Sequence, residues 1–185
     1  PFSGLDARLR DQVRDATLHV LKNSGAACLI VTHDPDEAMF MADRIAVMRE
    51  GRLVQVGAPV DLYCKPADAF VARFFGEINT IHARVAGGAA ATPFGPVPSI
   101  LAEGSAVDVL IRPEALKLQA VGGGGCRASV IAARMLGRSS LIHLAVGEGA
   151  DALHLHARVP GRFLPAEHSE VGVTLDLEQT FVFAA

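Results

Sequence analysis

Tryptophan is absent from this 185-residue chain, tyrosine occurs once as Tyr63, and the only lysines are Lys22, Lys65 and Lys117. A surface for single-stranded nucleic acid needs stacking aromatics above a basic groove. With 17 Lys+Arg against 20 Asp+Glu, the net charge is −3, so long-range attraction to a polyanion is also missing. No nucleic-acid partner is expected. The three cysteines (Cys28, Cys64 and Cys126) are an odd count without a CxxC pair, which argues against both a disulfide framework and a zinc knuckle. Cys28 lies inside the apolar run 26–31 and is expected to be a small buried hydrophobe. No run approaches the ~20 apolar residues of a membrane span, and Pro1-Phe2-Ser3-Gly4 has neither the basic nor the apolar region of a signal peptide. These absences together predict a soluble chain in a reducing, cytosolic compartment.

What remains is ample for a folded core. Half of the residues are hydrophobic, and a chain of this size buries roughly two-thirds of its unfolded surface. Thirteen of the 18 glycines follow Gly76. Before it, helix and strand periods are mixed; after it, strand alternation dominates. A boundary is therefore expected at residue 76, giving units 1–76 and 77–185.

In the first unit, Leu5, Leu9, Val13, Ala16, Val20 and Leu21 lay an apolar stripe along a helix over 6–23. Asn23-Ser24-Gly25 ends it. Residues 26–31 read as a short strand buried on both faces, as in a parallel sheet. Asp34-Pro35-Asp36-Glu37 predicts a helix start, with Asp34 as N-cap, Pro35 at the first position and Glu37 closing a capping box. A hairpin over 45–56 and two short helices at 59–64 and 67–75 follow. In the second unit, Val107, Val109 and Ile111 share one strand face. Leu153, Leu155 and Ala157 share another, with His154, His156 and Arg158 opposite. Further strands over 128–135, 141–146 and 171–177, punctuated by Gly and Pro, predict a small barrel or sandwich.

Chemistry concentrates in Ser3-Gly4-Leu5-Asp6 and Val31-Thr32-His33-Asp34. A histidine at the carboxyl end of a strand, just before a helix cap, stands where open α/β sheets bind ligands. The ordered set SGLDARLR, LIVTHDPDEA, ADRIAVMREGRLVQVGAP and DLYCKPADAFVARFFGE resembles the C-terminal half of the ATPase subunits of ABC importers. The resemblance implies an α/β remnant of a P-loop NTPase core over 1–76, with a D-loop at Ser3 and Asp6 and a switch histidine at His33. It also implies that His33 contacts the ATP γ-phosphate and that Asp6 meets a facing subunit. A histidine is chemically suited to donate to a phosphate oxygen. Asp6 read from its position alone is an N-cap, worth ~1 kcal/mol.

The phosphate-cradling motif GxxxxGKS/T needs a lysine that none of the three supplies. No LSGGQ signature occurs. By the resemblance, the Walker B aspartate and catalytic glutamate precede Pro1. One charged hydrogen bond contributes roughly 1.5–3 kcal/mol, whereas a millimolar complex needs about 4 kcal/mol. His33 alone therefore does not hold ATP. ATP and Mg are expected in the complete protein, with no tight binding and no turnover by these residues alone.

The second unit resembles the TOBE (transport-associated, OB-like) domain of such ATPases, through Ile111-Arg112-Pro113-Glu114 and Met135-Leu136-Gly137-Arg138. Thr92-Pro93-Phe94-Gly95-Pro96 looks like the ferric-iron version. The resemblance implies a ferric-iron importer subunit with a second copy of itself, an inner-membrane permease and a periplasmic substrate-binding protein as partners, peripheral at the cytoplasmic face of the membrane. Polyamine, sulfate, molybdate and sugar importers share this architecture, and a non-catalytic dimerisation or effector-binding module is the alternative. His143, His154 and His156 invite a metal-site reading. An exposed polar sheet face is the preferred one, since Fe(III) favours oxygen ligands.

Overall fold

The computed structural model describes residues 6–149 and 152–185, and the chain divides into two compact units, Pro1–Gly76 and Glu77–Ala185. Ser3, Gly4 and Leu5 of the expected D-loop lie outside the described residues.

Helix α1 (Ala7–Ser24) is capped by Asp6, whose Oδ1 accepts from the Leu9 N–H at 3.0 Å, and Gly25 ends it in the left-handed conformation. Its predicted apolar stripe does not become a core. Leu9 is 43% and Val20 64% exposed. The segment 26–31 departs from expectation more sharply. It forms no strand, Leu29 and Val31 are 89% and 84% exposed, and Cys28 is exposed as well. A central strand exists only through ladder bonds to neighbours on each side. The only strands among the described residues of this unit are β1 (Ile45–Arg49) and β2 (Arg52–Gly57), which pair antiparallel with each other. No parallel α/β sheet is formed among them.

The packed part of the first unit lies C-terminal to that segment. Helix α2 (Pro35–Met41), the hairpin, α3 (Pro59–Cys64) and α4 (Ala69–Phe74) follow one another. Ile45, Val47, Leu62, Val71 and Phe75 form the core, against which Ala38, Met39 and Phe70 pack. The Gln55 side chain ties β2 to the turn between α3 and α4. Its Nε2 donates to the Lys65 carbonyl at 3.0 Å, and its Oε1 accepts from the Ala67 N–H at 2.8 Å.

The second unit is all-β, as the alternation predicts. Its strands are β3 (Asn79–Ala86), β4 (Ala89–Thr92), β5 (Gly95–Pro98), β6 (Ala106–Ile111), β7 (Leu116–Gln119), β8 (Cys126–Met135), β9 (Ser139–Val146), β10 (Leu153–Pro160), β11 (Glu170–Leu175) and β12 (Thr180–Ala184). They form two five-stranded antiparallel sheets, ordered β10-β9-β8-β11-β7 and β12-β6-β3-β4-β5. Both sheets feed one core. Ile81, Val107, Val109 and Ile111 come from the second sheet, and Val130, Ile142, Leu144, Leu155 and Val173 from the first. Alternation sets which face turns inward, so Leu155 and Ala157 are buried while His154 on the opposite face is exposed.

The Gly122–Gly125 run is a turn between β7 and β8. Gly122, Gly124 and Gly125 all have positive φ, and only at Gly125 would a side chain also clash with backbone. A Cβ on Gly125 would lie 2.4 Å from the Val173 carbonyl oxygen, and its φ is +85°. Asn79 joins the two sheets. It is 7% exposed; its Nδ2 donates to the His156 carbonyl at 2.8 Å, and its Oδ1 accepts from the His156 N–H at 2.7 Å.

Candidate functional site

His33 is exposed on the bend that enters α2. The residues on either side of it are held tightly. The Asp34 Oδ1 accepts from the N–H groups of Asp36 (2.9 Å) and Glu37 (3.1 Å), as an N-cap should. The expected capping box differs by one inserted group. The Glu37 side chain does not reach back to the Asp34 N–H. That N–H donates to the Thr32 Oγ1 at 3.1 Å, and the Thr32 hydroxyl donates to the Glu37 Oε2 at 2.7 Å. Glu37 is 1% exposed.

Helix α1 closes the cluster from outside the loop. The Arg14 Nη2 lies 3.4 Å from the Asp34 Oδ2 and 4.0 Å from the Glu37 Oε1, and Nη1 lies 3.9 Å from the Asp11 Oδ1. Arg14 is 8% exposed. A guanidinium taken this far from water needs carboxylate partners, and the loop supplies two. Sequence reasoning missed Arg14, because an arginine one position from a stripe residue reads as solvated helix surface. His33 is thus an exposed side chain between two neighbours that are held by hydrogen bonds. Asp6 is found as the cap of α1, and Ser3 lies outside the described residues.

In the second unit the histidines of β9 and β10 come together differently from a metal site. His143 and His156 are cross-strand partners whose rings stack at 3.8 Å and 12°. The lone pairs of two near-parallel rings lie in parallel planes and so do not converge on one point. Among the described residues, no group of three or more His, Cys, Asp or Glu is arranged to hold a metal ion. The His156 Nδ1 pairs with the Glu77 Oε1 at 2.5 Å, and Arg158 bridges Glu77 (3.3 Å) and Glu114 (3.2 Å). Sequence reasoning also missed Glu77, which stands at the unit boundary.

His143 is exposed on its strand, and the partial desolvation it meets lowers its pKa, with the charges of His156 and His154 adding to this and Glu77 opposing it. The fold therefore favours neutral His143 more than the unfolded chain does, whose histidines titrate near 6.5. The resulting stability is fully present above about pH 6.5 and is lost as the pH falls toward the depressed value. The urea midpoint of the β transition is expected to drop between pH 7.5 and 5.5, and His143→Gln to flatten part of that drop. A midpoint that rises on acidification would show the opposite sign.

Comparison with known proteins matches these features to a class. Residues 109–183 match the family profile of the TOBE domain. Over nearly its whole length the chain is similar to part of the ATP-binding subunits of ABC importers. An Fe(3+) ions import ATP-binding protein of Streptomyces avermitilis is 38% identical over 185 residues, covering 98% of this chain and 52% of that protein. A sulfate/thiosulfate import ATP-binding protein of Chromobacterium violaceum is 41% identical over 117 residues, covering 62% of this chain and 32% of that protein. The chain spans about half the length, or less, of these curated relatives. Among solved structures, a cytoplasmic molybdate-binding protein crystallised with molybdate bound is 12% identical, with a TM-score of 0.41 over 59% of this chain and 96% of its own. That likeness is too distant to bear on function.

Proposed function

We propose that the chain serves in the ATP-hydrolysing subunit of an ABC importer whose cargo is ferric iron. The observation that carries the choice of cargo is coverage. The likeness reaches 98% of the chain for two Fe(3+) relatives and 64–74% for others, and covers 62% and 64% for the sulfate and spermidine/putrescine relatives. In this reading residues 1–76 are part of the α/β P-loop core and residues 77–185 an OB-like regulatory domain. His33 donates a hydrogen bond to the γ-phosphate of Mg-ATP held chiefly by residues outside this chain, since no GxxxxGKS/T motif occurs within it. Ser3 and Asp6 face a second copy of the subunit and couple the two nucleotide sites. Closure of that pair drives a membrane permease served by a periplasmic substrate-binding protein. Among the described residues no helix is long and apolar enough to cross a membrane, and the subunit is assigned to the inner face through its permease.

Uptake of radiolabelled ferric iron by cells deleted for the gene tests the cargo. Loss of iron uptake, restored by the gene, with sulfate and spermidine uptake retained is the expected result. Normal iron uptake together with lost sulfate or spermidine uptake would reassign it.

A further inference from the structure

We infer that Arg14 is a positioning residue that ties the α1 helix to the His33 loop, so that a movement of the Asp6 end of α1 is delivered to His33. The inference rests on the sensor reading of His33 above. Asp6 caps α1 and Arg14 lies within the same helix, roughly 12 Å further along its axis at 1.5 Å per residue. From there the guanidinium meets Asp34 and Glu37, and Glu37 holds Thr32. Of the two neighbours of His33 in the chain, Asp34 meets Arg14 directly at 3.4 Å, and Thr32 is linked to it through the Glu37 carboxylate, which lies 4.0 Å from the guanidinium.

The chemistry of the link argues for a coupling role. A buried ion pair is seldom more stable than well-packed apolar groups of the same size. What it adds is direction. A guanidinium nitrogen held between two carboxylates, at 3.4 and 4.0 Å, favours one placement of helix and loop, whereas an aliphatic contact would let them slide. Elsewhere α1 has little apolar hold, with Leu9 and Val20 exposed, so the charged link is a principal route by which its position reaches the loop. The 7-residue α2 behind the loop has its own cap in Asp34, and the Arg14 contact leaves that cap intact.

Two measurements test this. In the 185-residue chain, amide hydrogen exchange of Asp34, Asp36 and Glu37 is expected to quicken about tenfold in Arg14→Met, with β1 and β2 amides unchanged. Thr32→Val, which keeps Arg14 and removes the hydroxyl, should quicken Asp34 and serves if the first variant folds poorly. In the intact importer ATPase, Arg14→Met should lower kcat about tenfold at unchanged KM, Arg14→Lys should restore part of it, and Arg14→Met added to His33→Ala should cost nothing further. Equal losses with and without His33 would overturn the coupling role. Unchanged exchange in both Arg14→Met and Thr32→Val would overturn the link itself. Wild-type hydrolysis in His33→Ala alone would instead remove the sensor reading, a separate failure.

Discussion

His33→Ala is expected to leave the fold unchanged and to remove most ATP hydrolysis from the importer subunit. The side chain is exposed, so its loss should cost within about 0.5 kcal/mol of stability. The loss of one donor aimed at charge that develops in the transition state costs about 10²–10³ in kcat. Ground-state binding should hardly change, because the phosphate cradle lies outside these residues. The expected pattern is a kcat lowered by about two orders of magnitude or more with nucleotide affinity kept, read by steady-state turnover beside equilibrium nucleotide titration. Affinity lost in proportion to turnover would make His33 a general binding residue and not a γ-phosphate sensor.

The second large effect belongs to the β unit. Asn79→Leu keeps side-chain size and deletes every polar bond by which residue 79 holds β10. The N–H and carbonyl of His156 then lose partners at 2.7 and 2.8 Å, and a further bond to the Ile111 carbonyl at 3.3 Å is lost. Each polar group left unsatisfied in a buried place costs about 1–3 kcal/mol. A loss of roughly 2–4 kcal/mol is expected, seen as a lower urea midpoint of the β transition at constant m-value. The nearby His82–Asp108 pair supplies the contrast. It is as short, at 2.7 Å, but the His82 side chain is 82% exposed. His82→Ala should therefore move the midpoint little, as exposed ion pairs do. A comparable shift in both variants would mean that proximity, and not desolvation, sets the energy.

The elements that were legible in the sequence share a local cause. The caps Asp6 and Asp34, the Gly25 stop, the hairpin around Glu50-Gly51 and the helix at Pro59 depend on chain neighbours a few positions apart, and the structure has all of them. The inward faces of β6 and β10 were legible for a similar reason, since alternation along one strand is itself local. The short strands β4, β5 and β12 were not. Ala89–Thr92 is alanine and threonine, Gly95–Pro98 holds two prolines, and Thr180–Ala184 is too short to show a period. Each is a strand because an established partner lies beside it.

The error at 26–31 has the converse origin. Its composition is that of a central strand, but pairing is a property of two chain segments, and β1 and β2 pair only with each other. The apolar side chains stay in solvent, Cys28 with them.

At the candidate sites the same division holds. Residue type and order alone placed His33 just before the α2 cap and Asp6 at a helix cap, because both readings need only adjacent residues. Arg14 against Asp34 joins positions 20 residues apart, and Glu77 against His156 joins positions 79 apart. Partnerships across such distances depend on how helices and strands pack, which no local pattern encodes. Those partnerships settle which carboxylates a buried arginine meets and bring two cross-strand histidines into a stack.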